Sequence, residues 1–75
     1  MRETLREFGQ LLRELRIKTG QSQAEIAKML GITRSAYTYY EIGKTLPNLT
    51  NIRKLAEIFQ VPVEMLVYPE RYLQK

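Results

Sequence analysis

The sequence predicts an all-α fold, a compact bundle of five helices in one domain over residues 1–75. Its core lies at about 5–67, with a C-terminal tail at 68–75. Three observations carry this prediction. Apolar residues recur at spacings of three and four, the period of a helix with one buried face, and no segment has the character of a strand. Glycine or proline punctuates the chain at Gly20, Gly31, Gly43, Pro47, Pro62 and Pro69. A length of 75 residues bounds one domain, and a chain that short buries only about 60% of its unfolded surface, which demands a tight core.

Leu5, Phe8, Leu11, Leu12 and Leu15 share one face of a first helix over roughly Thr4 to Lys18, which Gly20 stops. Ser22 and Glu25 stand at capping-box spacing, so each can satisfy an orphaned backbone donor of the other at the start of a second helix. Ile26, Ala27 and Leu30 form its inner face, and Gly31 ends it. Thr33 caps a third helix that runs to about Glu41 and stops near Gly43. Asn48 or Thr50 caps a fourth, whose inner face is Ile52, Leu55, Ala56 and Phe59. Pro62 suits the first turn of a short fifth helix carrying Met65 and Leu66. Pro69 limits that helix, and Glu70 to Lys75 form the end of the tail.

Composition excludes several functions. Cysteine, histidine and aspartate are all absent, leaving neither a disulfide, the usual zinc ligands nor the usual general bases. An enzyme, a metal site and a bound cofactor are not expected. No apolar run approaches the roughly 18 residues that cross a bilayer, and the charged N-terminus lacks a signal-peptide apolar region. No membrane association is expected, and the chain has the character of a cytoplasmic protein with no evident small-molecule ligand. Twelve Lys and Arg against eight Glu give a formal net charge of +4. That surplus is compatible with nucleic acid but speaks of attraction rather than of fold.

The third helix is the informative one. At about 100° per residue, Ala36, Tyr37 and Tyr40 fall on one side, while Arg34, Ser35, Thr38 and Tyr39 fall opposite. The second set is a row of hydrogen-bonding side chains without an acid. It suits base edges, although an ordinary solvated face would look the same. The preceding turn, Gly31-Ile32-Thr33, joins two short helices as a helix-turn-helix does, with the second presented outward. The stretch from Ser22 to Pro47 (SQAEIAKMLGITRSAYTYYEIGKTLP) resembles the Cro/repressor-type (XRE) helix-turn-helix family. The likeness continues into Val61-Pro-Val-Glu-Met-Leu66 and covers about 50 to 60 residues.

That resemblance implies a lambda-repressor-like DNA-binding domain with the helix-turn-helix in the second and third helices. It also implies a transcriptional regulator, as a repressor, of double-stranded DNA. Arg34, Ser35, Thr38 and Tyr39 match the family's base-contacting positions, with Arg34 able to donate two parallel bonds to guanine. For Tyr39, a hydroxyl bond to phosphate and ring packing on a thymine methyl both remain open. Ser22, Gln23, Thr33, Tyr40 and Lys44 are expected at phosphates, Gln23 also bracing the recognition helix. Arg16 and Glu41 match a family ion pair between the first and third helices, a structural role that keeps Glu41 from repelling phosphate. Tyr37 stands where the family more often has an aliphatic residue.

Two other classes compete. A protein-interaction module would lack donors on the outer row, and a purely structural bundle would need none. Family members commonly bind as homodimers on two-fold symmetric sites, with half-sites about 34–36 Å apart. Met65, Val67, Tyr68, Tyr72 and Leu73 make an apolar C-terminal end that either pairs with a second copy or closes the monomer core.

Overall fold

The computed structural model describes residues 2–73, so residues 74 and 75 of the expected tail lie outside the described residues. Five α-helices follow in order: α1 (Arg2–Thr19), α2 (Gln23–Leu30), α3 (Arg34–Glu41), α4 (Leu49–Phe59) and α5 (Val63–Val67). A single 3₁₀ turn, Pro69–Arg71, comes last.

Side-chain caps set the boundaries. The Ser22 hydroxyl accepts from the Glu25 N–H at 3.1 Å, while the Ser22 N–H donates to the Glu25 carboxylate at 2.8 Å, closing the capping box of α2. That backbone donor holds the Glu25 carboxyl below its ordinary range. Gly31 ends α2 at φ +74°, a left-handed conformation that costs a residue with a Cβ about 1 kcal/mol or more. Two residues later the Thr33 hydroxyl accepts from the Ala36 N–H at 3.1 Å and α3 begins. Asn48, rather than Thr50, caps α4: its side-chain oxygen accepts from the Asn51 N–H at 2.8 Å. Pro62 stands one position earlier than expected, as the N-cap of α5 and not in its first turn.

The core draws on every α-helix. Phe8, Leu11, Leu12 and Leu15 come from α1, Ile26, Ala27 and Leu30 from α2, and Tyr37 and Tyr40 from α3. Leu55, Ala56 and Phe59 of α4 and Leu66 of α5 complete it. Each large apolar side chain buried this way contributes about 1.5–3 kcal/mol against exposure. Ile52, expected on the inner face of α4, is half-buried at its margin.

The described part of the expected tail, residues 68–73, is docked on the bundle: Pro69 is buried, the 3₁₀ turn packs on α1, and Leu73 lies half-buried against the core. A proline ring and a leucine cover apolar surface that α1 would otherwise leave in water.

A second feature fixes the angle between α1 and α3. Gly9 is buried where the two backbones cross, and a Cβ there would lie 2.3 Å from the carbonyl oxygen of Glu41 and 2.7 Å from that of Tyr40. Only glycine allows that approach. The C-terminal end of α3 therefore rests directly on the backbone of α1.

Candidate nucleic-acid interface

The inner side of α3 is tied down by one polar cluster. Arg16 Nε donates to Glu41 Oε2 at 2.6 Å and Arg16 Nη2 to Oε1 at 3.2 Å, the expected α1–α3 ion pair in a bidentate arrangement. Arg16 Nη1 also donates to the Gln21 carbonyl at 3.1 Å. The Tyr37 hydroxyl donates to Glu41 Oε2 at 2.6 Å, and Gln23 Nε2 donates to Oε1 at 3.0 Å. Thr38 Oγ1 then donates to Gln23 Oε1 at 3.0 Å. The Glu41 side chain is only 2% exposed and that of Arg16 15%.

Electrostatics follow from this arrangement. Burial pushes the Glu41 carboxyl up, but donors from Arg16, Tyr37 and Gln23 together hold it below the usual carboxylate range. Burial, with the Glu41 carboxylate alongside, raises the Tyr37 phenol far above its ordinary value, so the phenol remains a donor. Glu41 in turn raises the Arg16 guanidinium. Among the described residues, every buried side-chain nitrogen and oxygen has a partner.

The outer side is different. Arg34, Ser35 and Tyr39 are exposed and Thr38 is half-buried. Together with Gln23 they line a shallow groove of about 340 Å³. No acid lines it. The Lys44 ammonium sits 4.6 Å from the centre of the Tyr39 ring, a cation–π contact that keeps a positive charge beside the groove. The turn after α3 is held on the same residue, because the Lys44 N–H donates to the Tyr39 carbonyl at 2.9 Å. Ser22 and Thr33 are exposed at the starts of α2 and α3. Their oxygens cap backbone donors, which leaves each hydroxyl proton free to reach an anion.

The structure thus gathers Gln23, Arg34, Ser35, Thr38, Tyr39 and Lys44 on one surface, and Arg16 with Glu41 behind it. Tyr40 does not join them. It is 8% exposed in the core, its ring edge-on to Tyr37 at 6.1 Å, with Asn51 Nδ2 donating to its hydroxyl at 3.5 Å. Its assignment to phosphate is corrected to packing, because helix periodicity turns the residue inward.

The bracing of the recognition helix expected of Gln23 takes the form of its bonds to Glu41 and Thr38; the resemblance gave the role but not these partners. Two functional features were missed in the sequence. The Tyr37 hydroxyl belongs to the polar cluster, and its signal was available: a core tyrosine needs a partner, and Glu41 stands at i+4. Gly9 had no local signal, since its reason lies in a backbone that is distant in sequence.

Comparison with known proteins agrees with this geometry. A family model described as helix-turn-helix matches residues 12–66. The SPbeta prophage-derived HTH-type transcriptional regulator YonR of Bacillus subtilis (strain 168) is 43% identical over 60 residues, covering 80% of this chain and 56% of that protein. The cryptic phage CTXphi transcriptional repressor RstR of Vibrio cholerae is 35% identical over 60 residues, covering 80% and 54%. The chain therefore spans about half the length of these curated relatives. Among solved structures, the restriction-modification controller protein C.AhdI from Aeromonas hydrophila superposes with a TM-score of 0.75 at 40% identity, over 83% of this chain and 90% of that one.

Proposed function

The chain belongs to the helix-turn-helix family, and on that footing we propose that it is a transcriptional repressor binding double-stranded DNA, with α3 laid in the major groove. The observation that carries this reading is the groove lined by Gln23, Arg34, Ser35, Thr38 and Tyr39. It is acid-free and rich in donors, and it stands on a helix braced from behind. Arg34, Ser35, Thr38 and Tyr39 contact base edges, Arg34 as a bidentate donor to guanine. Ser22, Gln23, Thr33 and Lys44 contact phosphates on either side and set the register of the helix. A repressor is favoured by the likeness to RstR, which is named as one.

The active form in this reading is a homodimer on a two-fold symmetric site. The C-terminal end supports it. Met65 and Leu73 are half-buried against the monomer core, whereas Val67, Tyr68 and Tyr72 remain exposed, with Arg71 stacked over the Tyr68 ring at 4.2 Å.

A salt titration tests the DNA reading. With about three to five phosphates neutralised per subunit, log affinity falls with log salt at a slope of about −0.9 per phosphate. Lys44→Ala makes that slope shallower by about one and leaves sequence preference intact. A wild-type slope of zero ends the claim.

A further inference from the structure

The polar cluster behind α3 has a direction, and that direction ends at the groove. Guanidinium groups only donate and carboxylates only accept. Glu41, already accepting from Arg16 and Tyr37, cannot offer a proton to Gln23. The Gln23 amide, 3.0 Å from Glu41 Oε1, must therefore turn its NH₂ toward the carboxylate. Its carbonyl oxygen then faces Thr38 Oγ1, also at 3.0 Å. A carbonyl oxygen accepts only, so the Thr38 proton is committed to Gln23. What Thr38 Oγ1 has left for the groove is lone pairs.

We propose that Thr38 is a specificity residue of fixed polarity: an acceptor that selects an exocyclic amino group, adenine N6 or cytosine N4, and rejects the keto oxygen of guanine or thymine. Gln23 and Glu41 are the positioning residues that set this polarity. The inference rests on α3 being the groove helix. A threonine or serine hydroxyl ordinarily reads either kind of edge, because its proton swings to suit the base. Here a swing toward a keto oxygen breaks the bond to Gln23 and sets its carbonyl oxygen unpaired against the base stack. Ser35 is the internal control: it lines the same groove, is exposed and has no such tether, so it keeps both options. The second N–H of the Gln23 amide remains available to a phosphate, so bracing and backbone contact are compatible in one side chain.

The test is selection from a pool of randomised duplexes with the full chain, as wild type, Gln23→Ala, Thr38→Ser and Thr38→Val. In the wild type, one base pair per half-site favours an amino over a keto edge by about tenfold, the scale of leaving one desolvated acceptor unpaired. Thr38→Ser keeps that preference and Thr38→Val erases it. Gln23→Ala brings the amino-to-keto ratio at that position close to one and leaves the preferences elsewhere unchanged. Should Gln23→Ala fail to fold by circular dichroism, the wild type decides alone. Replacing the selected base by the analogue lacking only its amino group must then weaken binding about tenfold. Equal binding of that analogue overturns the proposal. So does an unchanged amino-to-keto ratio at that position in folded Gln23→Ala, whatever uniform loss its missing phosphate contact adds, or a Thr38-dependent preference for a keto base. A wild type that binds no duplex at low salt is a distinct result, which removes the DNA reading and this inference with it.

Discussion

The two sides of α3 are built from eight consecutive residues and obey opposite rules. Behind, Tyr37 and Glu41 sit in a closed set of bonds with Arg16 and Gln23, almost without solvent. In front, Arg34, Ser35 and Tyr39 stand in water, and among the described residues only the Lys44 ammonium, over the Tyr39 ring, engages any of their side chains. Half-buried Thr38 links the two. The contrast teaches that a surface meant for a polar partner stays open only if its own helix finds its hydrogen bonds elsewhere. It also separates two kinds of failure: the back should cost stability, and the front should cost affinity.

The largest expected effect comes from the back. Glu41→Ala leaves the Arg16 charge without its carboxylate, at about 3–5 kcal/mol for a fully buried pair. Because Arg16 retains some contact with water, the lower end, about 3 kcal/mol, is expected, and thermal melts should show a Tm fall of roughly 12–24 °C. Acid gives the same residue a second readout. The folded-state pKa of Glu41 lies below its ordinary 4.5, so its contribution is complete above that value and is lost as pH falls through the folded value. The wild type should thus lose stability in that acid window by more than Glu41→Gln, which has no carboxylate to protonate. Identical acid profiles would show that the ion pair is not stabilising.

Next in size is Gly9→Ala. The methyl meets backbone carbonyls and not a flexible side-chain end, so α1 and α3 must separate. An overpacking cost of about 2–3 kcal/mol is expected, read as a lower midpoint in urea with an unchanged m-value. A neutral result would mean that the crossing is looser than the structure shows.

Smallest in stability, and the sharpest for function, is Arg34→Ala. Its melting behaviour should stay within about 0.5 kcal/mol of wild type, as for other surface changes. Binding to the preferred duplex should weaken by about 1–3 kcal/mol, with much less change on scrambled DNA. Paired titrations at one salt concentration check this. An equal loss on both duplexes would make Arg34 a phosphate contact and move base reading to the residues beside it.

How much of this was legible in the sequence depends on distance along the chain. Caps such as Ser22, Thr33 and Asn48 act on backbone three residues away and were visible as spacing. The outer row of α3 was visible as period. The Arg16–Glu41 pair, 25 residues apart, came through resemblance, since no local pattern joins them. Gly9, the turn of the Gln23 amide and the docking of Pro69 on α1 were not legible, because each depends on which backbone lies opposite. Tyr40 shows the converse: it was expected at a phosphate, while the helical period already placed it inside.

The shortness of α3 sets a limit on addressing. Eight residues rise about 12 Å, little more than two turns. Even if each of four groove-facing side chains resolved a whole base pair, they would supply at most about eight bits, a match in roughly every 256 positions, while a genome offers about a million competing sites or more. A single copy is therefore a short word that recurs thousands of times. Two copies on a symmetric site double the word to about sixteen bits, so pairing of the chains adds information as well as affinity.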